Sequence, residues 1–353
     1  MYRNFHVENF RGFGDFAIDD FARVNIITGK NDVGKTCLLE AIFLHVGRHN
    51  PQLPGSIEFF RGRENVEVNA EAIWGWVFKD RQVSRPIVLQ ATDEDGHQRE
   101  LVISLTGRAS SHVPAVGEPN TGETTGAILP DLRLEYDTPE GERLSATLRL
   151  RQDGQPQIQW EGPQAQNTGV FVPSSMRFPA DDAVRYSKVD AAGGIPELVG
   201  LAQCVDPRVR RLSLGYEAGR PILRCDVGLE RLIPLHVAGA GLQRFVSIAL
   251  AIKATPGGFV LIDEIENGLH HAALSDVWRG IEQLTEREHV QVFATTHSWE
   301  CIRAAWEAFG SGLYGKEGLM VYRLDRTNGE VKAAEYDYDS LDNRIRCEAE
   351  IRG

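Results

Sequence analysis

The chain has 353 residues, 42% of them hydrophobic, with 38 Lys and Arg against 50 Asp and Glu and a net charge of −12. That length supports one large domain or two joined lobes, and no run approaches the ~18 apolar residues of a membrane span. An acidic surface repels nucleic-acid phosphates, so DNA binding would need a local basic patch. Arg208, Arg210 and Arg211, or Arg61 and Arg63, are the candidates, against the plain reading of solvated charges.

The N-terminal MYRNFHVENFRGF mixes charged and aromatic residues and lacks the apolar core of a signal peptide. Cys37, Cys204, Cys225, Cys301 and Cys347 are scattered, with no C-x-x-C pair, and read as reduced thiols of a cytoplasmic protein. Val24 to Thr28 (VNIIT) predicts a buried strand. After Lys35, TCLLEAIFLHVG carries apolar residues at helical spacing and closes on Gly47.

From about Val66 to Val172 the texture changes. VEVNAEAIWGWVF, RPIVLQATDEDGHQRELVISL, LRLEYDTPEGERLSATLRL and PQIQW predict strands joined by polar turns. Gly107 to Gly126 is rich in Gly, Ser, Pro and Thr and reads as a mobile loop. No heptad repeat is sustained, so no coiled-coil arm is expected. Asp182 to Leu212 is helical in pattern, followed by a strand pair in LSLGYEAGRPILRCDVG. VSIALAIKA predicts a helix, GGFVLIDE a strand, HAALSDVWRGIEQLTE a helix and VQVFATTHS a strand. Such alternation predicts a parallel sheet covered by helices. LMVYRLDRTNGEVKAAEYD adds a strand pair, and a charged tail follows.

Gly29, Lys30, Asn31, Asp32, Val33, Gly34, Lys35 and Thr36 fill the G-x-x-x-x-G-K-T pattern between a strand and a helix. Glycines let the backbone turn its N–H groups towards phosphates, and the helix start adds positive potential. Lys35 supplies charge to the β- and γ-phosphates of ATP, Thr36 a hydroxyl to Mg²⁺, and Cys37 is counted with the nucleotide-binding loop. FVLIDE is an apolar strand ending in two carboxylates. Asp263 is expected to hold the Mg²⁺ shell with Thr36, and Glu264 to polarise the attacking water. Thr36 and Asp263 stand 227 residues apart, which demands a large insertion. His297, in TTHS at the end of the next strand, can reach a γ-phosphate or the water. Gly239-Ala240-Gly241-Leu242-Gln243-Arg244 is a glycine-rich helix start of the kind that binds anions. His270 and His271 beside Asp263, Glu264 and Glu266 match no zinc spacing.

The order of these motifs resembles the ABC-type ATPases of the SMC and recombination-repair group. NFRGFGDF, TGKNDVGKTCLLEAIF, LIDEIENGLHH and FATTHS resemble most the ATPase part of the OLD (overcoming lysogenisation defect) family and related AAA ATPases. The likeness covers about residues 1–50 and 180–305. It implies an α/β fold: a P-loop NTPase head of ABC type, with a mixed, mainly parallel sheet covered by helices and an antiparallel β-rich inserted lobe. The segments are then 1–65, 66–172 and 173–353, forming a single ATPase domain of two lobes.

The resemblance further implies a homodimer or higher homo-oligomer in which two copies sandwich two ATP molecules, with Gly239, Ala240, Gly241 and Gln243 of one copy, through Arg244, meeting the γ-phosphate held by the other. Arg11 would lie near the nucleotide. Glu266, Asn267 and His270 would form a loop meeting the other subunit. Ala240 replaces the serine of transporter ATPases, and His271 stands where relatives often have proline. A junction glutamine is not identifiable, and Ser174 or Ser175 lies near its place. The residues after His297 are too few for the appended Toprim nuclease of full-length OLD proteins, a domain of about a hundred residues. Asp337 and Asp339 read as solvated acids. The leading expectation is an ATP hydrolase that regulates a separate effector, such as a nuclease in anti-phage defence. The alternatives are a repair or clamp ATPase that binds DNA itself, and a small-molecule kinase.

Overall fold

The computed structural model describes residues 1–60, 74–106, 131–138, 141–150, 156–162, 169–174, 179–311 and 315–347. Contacts divide the chain into two units. One comprises Met1–Asn4, Ile18–Phe43 and Thr168–Gly353; the other comprises Phe5–Ala17 and Leu44–Asn167.

The first unit is built on a six-stranded sheet. Its strands are β3 (Val24–Gly29), β9 (Gly169–Val172), β13 (Phe259–Ile262), β14 (Gln291–Thr295), β15 (Leu319–Thr327) and β16 (Glu330–Tyr336). The order is β16-β15-β3-β14-β13-β9, parallel throughout except for the antiparallel edge strand β16. The inner strands read as unbroken apolar runs because both faces are covered. On one face Val24, Ile26, Val260, Ile262, Val292 and Ala294 join one core. That core includes residues of α3 (Pro179–Ala191), α4 (Ile195–Val205), α6 (Ala240–Lys253), α7 (Leu274–Arg287) and α8 (Trp299–Ser311). On the other face Phe21 packs edge-on against Phe293 and Tyr322, and Phe43 of α1 (Lys35–Val46) lies 5.5 Å from Phe171. Buried Gln291 ties the N-terminus to this sheet, accepting from the Tyr2 N–H and donating to the Tyr2 and Ala22 carbonyls.

A three-stranded antiparallel sheet, β10 (Arg211–Glu217), β11 (Arg220–Asp226) and β12 (Ile233–Pro234), leads through the single turn α5 (Leu235–Ala238) into α6. The charged tail holds a helix, α9 (Tyr338–Arg346), that its composition had not announced. Asp337 caps it by accepting from the Ser340 N–H at 2.9 Å, so this acid has a local structural role.

The second unit carries a seven-stranded sheet in the order β2-β1-β4-β5-β6-β7-β8. The strands are β1 (Tyr2–Phe10), β2 (Phe13–Ile18), β4 (Ile87–Asp93), β5 (Gln98–Thr106), β6 (Asp131–Asp137), β7 (Arg143–Leu150) and β8 (Pro156–Trp160), and β4 to β8 form an antiparallel meander. Two of its strands are supplied by the N-terminal residues, ahead of the lobe expected to begin at residue 66. The strand predicted over VEVNAEAIWGWVF is corrected at its end, where Gly75–Val77 is a 3₁₀ turn. Residues 66–73 and the predicted loop at 107–126 lie outside the described residues. The helix α2 (Leu53–Phe60) follows α1.

Candidate functional site

Register brings four strand ends together. Ile262 of β13 stands beside Ala294 of β14 and Val172 of β9, and Thr295 stands beside Ile27 of β3. The turns leaving these carboxyl ends therefore meet, which is where parallel sheets bind ligands. They hold the loop from Gly29 to Thr36, Pro173 and Ser174, Asp263 to Gly268, and Thr296 to Ser298.

Gly29 (φ 138°) and Gly34 (φ 120°) adopt backbone angles that favour glycine, and Asp32 sits at φ 61°. A Cβ on Gly29 would lie 2.5 Å from the Leu324 carbonyl oxygen, so the chain leaves β3 along a path closed to other residues. Lys30, Asn31 and Asp32 are exposed, Val33 is buried and anchors the loop, and Lys35, Thr36 and Cys37 are half-buried. Lys35 Nζ donates to the carbonyls of Gly29 (2.7 Å) and Lys30 (2.9 Å). Burial pushes its ammonium below the ordinary lysine value, while the charges of Asp263, Glu264, Glu266 and Asp32 oppose that shift. Phosphate oxygens can replace those two carbonyls with stronger, charge-assisted bonds.

Thr36 Oγ1 donates to Asp263 Oδ1 at 3.0 Å. Thr295 Oγ1 donates to the same oxygen at 2.7 Å and accepts the Glu264 N–H at 2.8 Å. In an octahedron with bonds of ~2.1 Å, adjoining oxygens lie about 3 Å apart, so the Thr36 hydroxyl and the Asp263 carboxylate fit two positions around Mg²⁺. Both are hard oxygen donors, the type that ion takes.

Glu264 is held at φ 48°, a left-handed angle that costs a non-glycine residue about 1–3 kcal/mol. Its neighbours impose it. Thr295 takes the N–H of Glu264 on its hydroxyl and that of Ile265 on its carbonyl (3.0 Å). Fully buried Arg244 donates to the carbonyls of Pro173 (2.6 Å), Asp263 (2.6 Å) and Glu264 (3.3 Å). Arg244 therefore clamps the turn of its own chain. In the sequence Thr295 stands out only as part of TTHS, and its link to Asp263 and Glu264 depends on the β13–β14 pairing that no linear pattern displays.

Gly239 caps α6 at φ 157°, and its carbonyl accepts from the Gln243 N–H at 3.1 Å. A Cβ on Gly241 would come within 2.7 Å of the Gly268 carbonyl oxygen, so this glycine serves close packing inside the chain. Ala240 is exposed, and Gly239 and Gln243 are half-buried. His297 is exposed, and both its backbone N–H (3.0 Å) and its Nδ1 (3.2 Å) approach Glu266 Oε1. Asn267 Nδ2 donates to the Ser174 carbonyl at 3.0 Å, while Ser175 lies outside the described residues. The His270 and His271 rings lie 4.2 Å apart, tilted by 36°, and His270 Nδ1 accepts the Ala272 N–H. Arg11 belongs to the second unit, where its N–H donates to the Val77 carbonyl at 2.9 Å; nearness to a nucleotide remains an implication of the resemblance.

Of the basic candidates, Arg208 is paired with Asp206 at 2.8 Å, and Arg210 lies over Gly228. Arg61 and Arg63 lie outside the described residues. All five cysteines are free, and burial pushes the Cys301 thiol up to about 12, which makes it inert. No helix among the described residues is long and apolar enough to cross a membrane.

A family model described as "AAA domain, putative AbiEii toxin, Type IV TA system" matches residues 24–302. An ATP/GTP phosphatase of Helicobacter pylori is 23% identical over 326 residues, covering 86% of each chain. An uncharacterized protein of Methanocaldococcus jannaschii is 39% identical over 44 residues, 12% of this chain and 20% of that protein. Among solved structures, an Smc head bound to the C-winged helix domain of ScpA gives a TM-score of 0.49 at 11% identity, over 98% of this chain and 99% of that one. The SMC head domain from Thermotoga maritima gives 0.41 at 12% identity, over 95% and 99%.

Proposed function

The chain belongs to the family of AAA domains described as putative AbiEii toxin of a type IV toxin–antitoxin system, and from that membership we propose a nucleotide-driven switch that hydrolyses ATP and governs a separate effector. The observation that carries the reading is the 3.0 Å bond from Thr36 to Asp263, which joins the phosphate loop to the carboxylate pair across 227 residues. The ATP/GTP phosphatase relative supports hydrolysis as the reaction.

Residues Gly29 to Cys37 would hold the triphosphate, with Lys35 turning from its own loop carbonyls to the β- and γ-phosphate oxygens. Mg²⁺, held by Thr36 and Asp263, would neutralise charge building on those oxygens. Glu264, fixed in its left-handed angle by Thr295 and Arg244, would accept the proton of the attacking water. The helix start at Gly239 and Ala240, with the Gln243 side-chain amide, would meet an anion on a second copy, and closure of two copies over ATP would be the signal an effector reads. A toxin-linked family description fits an effector partner, such as a nuclease in anti-phage defence, and the resemblance to OLD proteins points the same way. DNA binding is disfavoured by the −12 charge and the neutralised Arg208.

Glu264→Gln should bind ATP, slow hydrolysis by about 10²- to 10⁴-fold, and elute as a dimer from a sizing column with ATP and Mg²⁺. A monomer under those conditions sinks the sandwich. Salt-resistant DNA binding by the purified chain would favour the clamp reading instead.

A further inference from the structure

Thr295 closes β14, the strand that lies between β3, which runs into the phosphate loop, and β13, which runs into the acidic turn. It is fully buried. Valine has nearly the same shape and the same preference for strands, so packing alone gives no reason for a hydroxyl here. A buried hydroxyl costs free energy unless it is bonded, and this one is bonded twice. Its Oγ1 donates to Asp263 Oδ1 at 2.7 Å and accepts the Glu264 N–H at 2.8 Å.

A hydroxyl has one hydrogen, and here that hydrogen is committed to Asp263. The lone pairs then face the Glu264 N–H, so the two bonds set each other's direction. One side of the group fixes a carboxylate that fits a divalent cation. The other fixes the backbone of Glu264 at φ 48°. The charge of Glu264 acts on Lys35, which puts its carboxylate within electrostatic reach of the phosphate loop. Thr36 also donates to Asp263 Oδ1, at 3.0 Å, but its oxygen is itself a candidate ligand of the cation. Once the Thr36 lone pairs turn to a cation, Thr295 is the donor that keeps Oδ1 in place.

We propose that Thr295 is a positioning residue that couples the cation site to the general base: its single hydroxyl holds the Asp263 carboxylate on one side and the Glu264 backbone on the other. The inference rests on the ATP-hydrolase reading and adds to it that the two acids are set by one side chain and respond as one unit. Holding the turn is half of what this hydroxyl does; the other half is at the metal carboxylate.

The test uses the full chain and three readouts. Thr295→Val should weaken Mn²⁺ binding about tenfold to a hundredfold, measured by electron paramagnetic resonance with a non-hydrolysable ATP analogue present. Hydrogen exchange at the Glu264 amide of the nucleotide-free protein, resolved by fragmentation in the mass spectrometer, should speed up about tenfold or more. Turnover of ATP should fall by about tenfold to a hundredfold in kcat, with the metal-free Kd of the analogue changed by less than about threefold. Thr295→Ser keeps the hydroxyl and should return all three to within about threefold of wild type. Thr295→Ala gives the same readouts if the valine variant does not fold. A purely structural role would lower stability in urea and leave Mn²⁺ affinity and the Glu264 amide as in wild type, and that result overturns the proposal. So does a change in one of those two without the other, because the acids are then not coupled. A wild-type chain that hydrolyses no ATP sinks the hydrolase reading, while the Mn²⁺ and amide measurements still decide the role of Thr295.

Discussion

The two units solve the problem of a buried sheet in opposite ways. In the first, β3 and β14 are buried at every position and β13 at all but Phe259. Polar groups enter that interior at the strand ends and just beyond, as Thr28, Asp263, Thr295 and Thr296. In the second, β6 alternates half-buried and buried residues along its whole length. Its polar residues make cross-strand ion pairs such as Arg149 with Asp131 (2.7 Å) and Arg143 with Glu100 (2.7 Å). Exposed pairs of that kind contribute little, because water screens them. Buried polar groups are costly, and in the first unit the hydroxyls of Thr36 and Thr295 are both satisfied at one carboxylate oxygen, Asp263 Oδ1. Cost concentrated in one place marks chemistry; charge spread along a ladder marks a solvated face.

The sharpest way to break this contrast is Lys35→Ala. Losing two charge-assisted contacts to phosphate should cost about 4 kcal/mol, a thousandfold in Kd for ATP, read by calorimetry. Tight nucleotide binding by that variant would mean that the convergence of strand ends is structural only. Next, Arg244→Met keeps the stem but strands three buried carbonyls. It should lower stability by about 3 kcal/mol in urea unfolding, and a loss below ~0.5 kcal/mol would show that the clamp does not hold the Glu264 turn.

The second unit has its own buried ionisable group. His45 donates through Nε2 to the Arg99 carbonyl, and burial pushes its pKa down to about 3 from 6.5. Its folded value lies below its unfolded value, so the unfolded chain takes up the proton first as pH falls. Stability is complete above pH 6.5 and declines between there and pH 3 by up to ~1.4 kcal/mol per unit. Replacing His45 by Gln, which can still donate to Arg99, should flatten that acid slope in thermal melts. The smallest effect expected is at the C-terminal helix: Asp337→Ala should cost ~1 kcal/mol through the lost cap, with nucleotide binding unchanged.

Much of the site was legible because its residues come in contiguous motifs. Gly29 to Thr36 needs only a strand before it and a helix after it, and both are local patterns. Asp263 and Glu264 announce themselves as carboxylates closing an apolar run. Thr295, Arg244 and Glu266 carry no such local signal, because each bonds a residue far away in the chain. The resemblance sets Arg244 in a signature that faces a second copy; in the structure it is a buried clamp on its own backbone. At Gly241 the structure adds a requirement that no motif displays, close packing against the Gly268 carbonyl. The α9 helix was missed because its apolar residues are few.

Local periodicity and motif chemistry alone determined the parallel-sheet class, the phosphate loop and the acidic pair, since each depends on residues within about a dozen positions. Only the tertiary structure decided which strands lie side by side, and hence that Thr36 and Thr295 share one carboxylate oxygen and that Glu266 holds His297. Strand order is set by packing both faces of the sheet at once, a property of the whole chain that no single segment carries.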